Sequence, residues 1–522
     1  MKSIPTKLNA AFGIFLFAAA VCYGVIYNSC HTPRTLTWDE TDYAKAAQAG
    51  IAANAHEQNT VSIAEFIRLG YSKLKKQKQN SHTYPSEFID PFHLRHFHPP
   101  LPVYFWTLFL NHDIKRQDKL LRLSNQILQV LSAILIFLFL INYLSAAGIQ
   151  NSVLIAAASA SFFVTSDIFL HAFYEINFHS FFLVAAVIFV YFLQRYLIFS
   201  SPVNSMLLGI SSAVIVCTLE TSPFIFAGAA LAVFLFRQKK NLMAQWKILL
   251  VSFIGACFVL WPGMIFTLGP VKSWAMYVYR VFAMSNESYE SISLFSTLFV
   301  LLKSNYLLAL FLAAGYLNLF FMHRAGSSFN KLRLIPAVVG LLYGILMLPF
   351  TLNHTYLYTA AGLLFLGSLP GLINLLKVPS LRNGFVFFSL ILLAVVFLRT
   401  DFLQIRHEAD SREQNFNSDL SEVKSIVSRQ KMILADGGRI FSYYLPEHKE
   451  YIAELFRFSD RKSQFAIRKN YSYVMQDNEL KNNFYSAVFV GKTRNYSQEQ
   501  FEQLKKWGYK LKELNNYYLF YL

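Results

Sequence analysis

The chain has 522 residues, 55% of them hydrophobic and only 15% charged, with 51 phenylalanines and a net charge of +17. Soluble proteins carry roughly 25% charged residues, so the composition excludes an ordinary soluble enzyme and indicates a polytopic α-helical membrane protein. The positive charge gathers in short loops between apolar runs, which is the positive-inside pattern and not a nucleic-acid surface; the unalternating runs also exclude a β-barrel.

The first apolar run, 8–28, follows Lys2 and Lys7. It is long and shows no clear small-x-small cleavage site, so it reads as an uncleaved span with a cytoplasmic N-terminus. A polar loop follows at 29–100. Within it, 39–56 and 61–78 are compatible with helices, the second lysine-rich and suited to lie on a membrane surface. Residues 99–111 are apolar and aromatic but too few to span. They suit a juxtamembrane helix with Pro99 and Pro100 at its first positions, where a missing N–H costs nothing.

Ten further spans are expected at about 123–143, 150–169, 178–198, 205–219, 222–236, 246–265, 306–323, 333–350, 355–376 and 383–399, against the ~20 residues a crossing needs. Arg195, then Arg237 with Lys239 and Lys240, then Arg324, Lys331 and Arg333, then Lys377 and Arg382 fall in loops on the N-terminal side. Eleven spans therefore place the 29–100 loop and the C-terminus outside. The pair 205–219 and 222–236 is short, and one broken or re-entrant element is its alternative.

Polar composition returns at 401–522, which divides the chain into a membrane part, 1–400, and an outer α/β domain. In that domain 421–430, 448–456 and 497–507 read as helices, and 439–444, 486–490 and 517–521 as strands. Cys22, Cys30, Cys217 and Cys257 suggest neither a disulfide framework nor a metal cluster.

The chemistry gathers on the outer face: Asp39, Glu40, His93, His96, His98, Arg122, His171, Glu175, Glu220, Arg280 and His354. Acidic residues beside a bilayer are costly and usually functional. A transporter would more often carry its key charge or broken helix at mid-membrane, and no acid series lies there. P-loop and dinucleotide fingerprints are absent, so a nucleotide-sugar donor is disfavoured.

Trp38-Asp39-Glu40 with Tyr43-Ala44 resembles the first-loop signature of the membrane glycosyltransferases of the protein O-mannosyltransferase and aminoarabinose transferase superfamily. Phe97-His98-Pro99-Pro100-Leu101 with Tyr104 and Trp106 resembles its next landmark, a basic residue followed by two prolines. Leu121-Arg122-Leu123-Ser124, Glu175-Ile176-Asn177 with Phe181-Phe182, and His354-Thr355-Tyr356-Leu357 follow in the same order over about residues 8–400. The resemblance implies a GT-C-type fold and a polyprenyl-phosphate-linked sugar donor, undecaprenyl phosphate in the bacterial type. It also implies an extracytoplasmic lipid, polysaccharide or protein acceptor, in a bacterial inner membrane.

By the same resemblance Asp39 is the candidate base. Glu40 either orients Asp39 or is a helix-start acid held by free N–H groups. His98 stands where aminoarabinose transferases usually carry lysine and is a candidate phosphate contact. Arg122 is either a phosphate fork or an interfacial anchor. Glu175 or Asn177 would meet sugar hydroxyls, and Glu220 a cationic or hydroxyl-rich group. Tyr43, Arg280, His354 and Tyr356 complete the donor- or acceptor-binding set. Arg280, with Tyr277, Tyr279 and Tyr289, belongs either to a sugar or prenyl contact or to an aromatic belt. Where relatives carry an acid before the basic-Pro-Pro motif, this chain has Phe97. His93, His96 and His98 are then the candidate ligands for a divalent metal.

Overall fold

The computed structural model describes residues 4–36, 38–55, 98–236, 245–264, 269–271, 273–274, 303, 305–324, 331–347, 357–456, 466–469, 472–475, 480–492 and 498–522. Helix α1 (Ile4–His31) enters first. Two short helices, α2 (Trp38–Gln48) and α3 (Gly50–Ala55), occupy the start of the polar loop. The expected helix at 61–78 lies outside the described residues. Helix α4 (Leu101–Thr107) is the juxtamembrane element; Pro100 is its N-cap and not a helical residue, and Pro102 supplies the proline of its first turn.

The body is built from α5 (Ile114–Ala146), α6 (Ser152–Val164), α7 (Asp167–Ala172), α8 (Phe178–Ile198), α9 (Pro202–Val216), α10 (Ser222–Phe236), α11 (Trp246–Leu260), α12 (Tyr306–Arg324), α13 (Ile335–Met347), α14 (Tyr358–Leu376) and α15 (Pro379–Arg399). Every expected span overlaps one of these helices. Among the described residues, four helices (α1, α5, α8 and α15) are long and apolar enough to cross a membrane, and seven apolar helices of 10–17 residues are shorter. The 205–219 and 222–236 pair forms two separate helices, α9 and α10, with Glu220 in the turn between them.

Local chemistry sets the helix starts. Asp113 accepts the Lys115 N–H at 3.0 Å to open α5, and Asn177 accepts the Ser180 N–H at 2.9 Å to open α8. Such caps satisfy donors that the helix itself leaves unpaired. Small residues then let helices approach where lipid supplies no hydrophobic drive. A Cβ on Gly367 would sit 2.5 Å from Ala337 on α13, and one on Gly371 would collide with the Gly315 carbonyl on α12. Larger residues there would push α14 off both neighbours.

Helix α16 (Phe402–Val427) leads into the C-terminal sheet, its Asp401 cap accepting the Gln404 N–H at 2.9 Å. The strands are β1 (Ile433–Asp436), β2 (Ile452–Phe456), β3 (Ala466–Lys469), β4 (Ser472–Met475), β5 (Ala487–Gly491), β6 (Lys510–Glu513) and β7 (Tyr517–Tyr521), in the order β4-β3-β2-β1-β5-β7-β6. β1 pairs in parallel with β2 and β5, and the other pairings are antiparallel. One face packs on Leu504 of α18 (Gln498–Lys506); the other packs on Val423 and Val427 of α16 and on Phe441.

Two expectations for this region are corrected. Residues 439–444 form a helix, α17 (Gly438–Tyr444), not a strand. The strand is the preceding β1, and Gly437, at φ 76, turns the chain directly into α17; glycine takes that left-handed conformation without a Cβ clash. Residues 448–456 are a 3-10 turn (Pro446–Tyr451) followed by β2, not a helix. Pairing with the fully buried β1 overrides the helical pattern there.

Candidate active site at the rim of the helical body

The site begins at the first turn of α2, where Asp39 and Glu40 sit at the positive end of a helix dipole. The two carboxylates point to different environments. Glu40 is 2% exposed and grips the Arg122 guanidinium through both oxygens; the Arg122 Nη2–Glu40 Oε2 bond is 2.8 Å. Arg122 also donates to the Thr35 carbonyl at 3.0 Å, and Glu40 accepts the Ile176 N–H at 3.0 Å. Glu40 therefore ties α2, α5 and the α7–α8 loop together. Its charge is met by Arg122, and its link to Asp39 runs through the backbone of α2.

The Asp39 side chain keeps 54% of its surface exposed, 3.3 Å from an Arg439 nitrogen. Asp42 lies one turn further, on the same helix face. It is buried and holds the same guanidinium at 2.7 Å. Lys45 donates to the Arg439 carbonyl at 2.9 Å and to the Ser442 hydroxyl at 3.0 Å. Next to these, the Tyr443 and Tyr444 hydroxyls donate to buried Asp118 at 2.9 and 2.7 Å. Helix α17 of the C-terminal unit thus lies over the acidic turn and contributes a cation to it. Sequence reasoning missed Arg439, Asp42, Asp118, Tyr443 and Tyr444. The available signals were the three-residue spacing of Asp39 and Asp42 and the Asp436-Gly437-Gly438-Arg439 strand-to-helix turn.

Glu175 sits on the other side of Arg122, in the loop before α8. Desolvation, then the nearby Glu40 charge, push its carboxyl up to about 7, against the pull of Arg122. The side chain keeps an exposed face, so this is the environment of a crowded recess and not of a sealed core. A carboxyl whose folded-state pKa lies above its unfolded value makes folding take up protons. Stability should then fall as pH rises from the ordinary carboxylate range through about 7. Thermal unfolding at pH 5 and pH 8 checks this: Glu175→Gln should narrow the difference between the two. Asn177, the other candidate for sugar hydroxyls, has its amide engaged locally: it caps α8 and donates to the Glu175 carbonyl at 2.8 Å.

His98 and Glu220 form a second, interior pair. The Leu101 N–H donates to the Cys217 carbonyl at 3.0 Å, tying the start of α4 to the α9–α10 turn. That contact brings His98 Nδ1 to 2.7 Å from Glu220 Oε2, with side chains 5% and 0% exposed. Phe178 lies 4.4 Å from the imidazole, and Tyr43 packs edge-on to it while stacking on Trp106 at 5.4 Å. Glu220 is thus turned inward, and Tyr43 forms part of an aromatic wedge beneath α2.

Asp39, Glu40, Arg122 and Glu175 therefore come together around one cation-bridged cluster, while His98, Glu220 and Tyr43 lie in the adjoining interior. His93, His96, Arg280, His354 and Tyr356 lie outside the described residues. Among the described residues no group of three His, Cys, Asp or Glu side chains is arranged to hold a metal ion.

No family model matches the sequence, and no curated protein matches it either. Solved structures do. The crystal structure of ArnT from Cupriavidus metallidurans in the apo state superposes with a TM-score of 0.60 at 12% identity, covering 98% of each chain. The crystal structure of ArnT from Cupriavidus metallidurans bound to undecaprenyl phosphate superposes at 0.56 with 11% identity, covering 97% of each chain. From end to end, the chain is a multi-pass membrane protein with the GT-C-type fold of ArnT.

Proposed function

We propose that the chain is a glycosyltransferase that moves a sugar from a polyprenyl-phosphate donor to an extracytoplasmic acceptor, with inversion. The observation that carries this reading is the joint presence of an ArnT fold, in a chain whose fold neighbour was crystallised with undecaprenyl phosphate, and an exposed Asp39 beside arginines. Asp39 takes the proton from the acceptor hydroxyl. The acceptor oxygen forms its bond to the anomeric carbon while the bond from that carbon to the phosphate oxygen breaks. The electron pair leaves with the polyprenyl phosphate. Phosphate is already a good leaving group, so one positioned carboxylate suffices, typically worth ~10²–10⁴-fold in rate.

Arg122 holds Glu40, and Glu40 fixes the turn that presents Asp39. Arg439, 3.3 Å away, aims Asp39 by opposite charge at short range. Residues 1–400 form the catalytic membrane part. Residues 401–522 lie on the extracytoplasmic side of a bacterial inner membrane with the N-terminus cytoplasmic, and α17 is their contribution to the site. His98 is the candidate contact for a phosphate or, with His93 and His96, for a divalent metal.

Purified protein incubated with labelled undecaprenyl-phosphate sugars and, separately, nucleotide sugars tests the donor class. Transfer or donor hydrolysis with the lipid-linked set alone is expected. Turnover of nucleotide sugars alone, or lipid movement in vesicles without turnover, would overturn the proposal.

A further inference from the structure

A cavity of about 380 Å³ opens where the C-terminal end of α1, the N-terminal half of α5 and the start of α16 meet. That size falls at the lower end of ligand pockets, roughly 300–1,000 Å³, and exceeds what a bare ion needs. Four cationic side chains line it, Arg34, Lys119, Arg122 and Arg406, and no carboxylate does among the described residues. Two of the four charges are already answered. Arg122 is held by Glu40 and Arg406 by Asp410. Arg34 and Lys119 form no ion pair among the described residues. Glu413 accepts the Arg34 backbone N–H at 3.3 Å, and neither it nor Glu175 belongs to the lining. Thr32 and Tyr174 add polar wall.

Two unanswered cations in a concave site are the electrostatic complement of a compact anion. Guanidinium and ammonium groups together favour a phosphate, since one supplies a fork and the other a point charge. We propose that this cavity binds a phosphate-bearing head group, a site separate from the Asp39 turn and joined to it through Arg122. An occupant would draw on the same guanidinium that clamps Glu40, so filling the cavity bears on the α2 turn.

The test reads binding and needs no turnover, so it stands or falls independently of the proposed reaction. Full-length protein in zwitterionic micelles is titrated calorimetrically with inorganic phosphate, short-chain phosphatidic acid and short-chain phosphatidylcholine. Phosphatidic acid should bind more tightly than phosphatidylcholine. The double variant Arg34→Gln/Lys119→Gln should weaken it by about tenfold or more, as expected for losing hydrogen bonds to a charged group. Lys115→Gln/Arg116→Gln, two exposed cations on α5 outside the lining, should leave binding as in the parent. Inorganic phosphate binding as tightly as the lipid would support the site with free phosphate as its ligand. Weaker inorganic phosphate would support a lipid head group. Equal binding of phosphatidylcholine, parent-like binding by the Arg34/Lys119 variant, or equal loss in the Lys115/Arg116 variant would overturn the proposal.

Discussion

Arg122→Ala is expected to lower unfolding stability by about 3–5 kcal/mol, the usual cost of leaving one member of a buried ion pair alone. Glu40 is 2% exposed, so water cannot replace the lost guanidinium without opening the α2–α5 contact. The Ile176 N–H at 3.0 Å is a neutral donor and does not replace the lost charge. The double variant Arg122→Gln/Glu40→Gln removes the stranded charge and should recover much of the loss. It should not recover transfer, because the charged clamp from α5 onto the turn carrying Asp39 is then gone and only the Arg439 pairs remain. Thermal unfolding in detergent, set beside transfer rates, separates the two effects. Parent-like stability of Arg122→Ala would mean that Arg122 does not clamp Glu40.

The second large effect is expected at His98. His98→Ala strands Glu220, whose side chain is 0% exposed and whose Oε1 already has no hydrogen-bond partner among the described residues. An orphaned buried acceptor costs about 1–3 kcal/mol, and an orphaned buried charge about 3–5 kcal/mol. The size of the loss therefore reports whether the pair is neutral or ionic. Glu220→Gln keeps a hydrogen-bonding group opposite the imidazole and should lose much less. If His98→Ala were neutral in stability, the imidazole would have to face a ligand and not Glu220.

What could be read in the residues alone follows a physical dividing line. The apolar helices were legible because a bilayer demands long runs without charge. The acidic turn was legible because charge beside lipid is rarely accidental. Partnerships across the fold were not. Nothing near Glu40 in sequence names Arg122, 82 positions away, and nothing near His98 names Glu220, 122 positions away. Arg439 was hidden for a second reason. Its segment is aromatic and reads as a strand, while the real strand is the four-residue β1 just before it. Four residues carry little periodicity, and the two glycines that turn the chain were the stronger local signal.

The proposed reaction centres on Asp39, whose side chain is exposed enough that the isosteric Asp39→Asn change should leave the fold intact. The most direct measurement is single-turnover release of polyprenyl phosphate from a synthetic lipid-linked sugar, for the parent and Asp39→Asn, with donor binding measured on both. A fall of about 10²–10⁴-fold in release, with unchanged donor binding and unfolding temperature, is the predicted result. Equal release by the two proteins would contradict a catalytic Asp39.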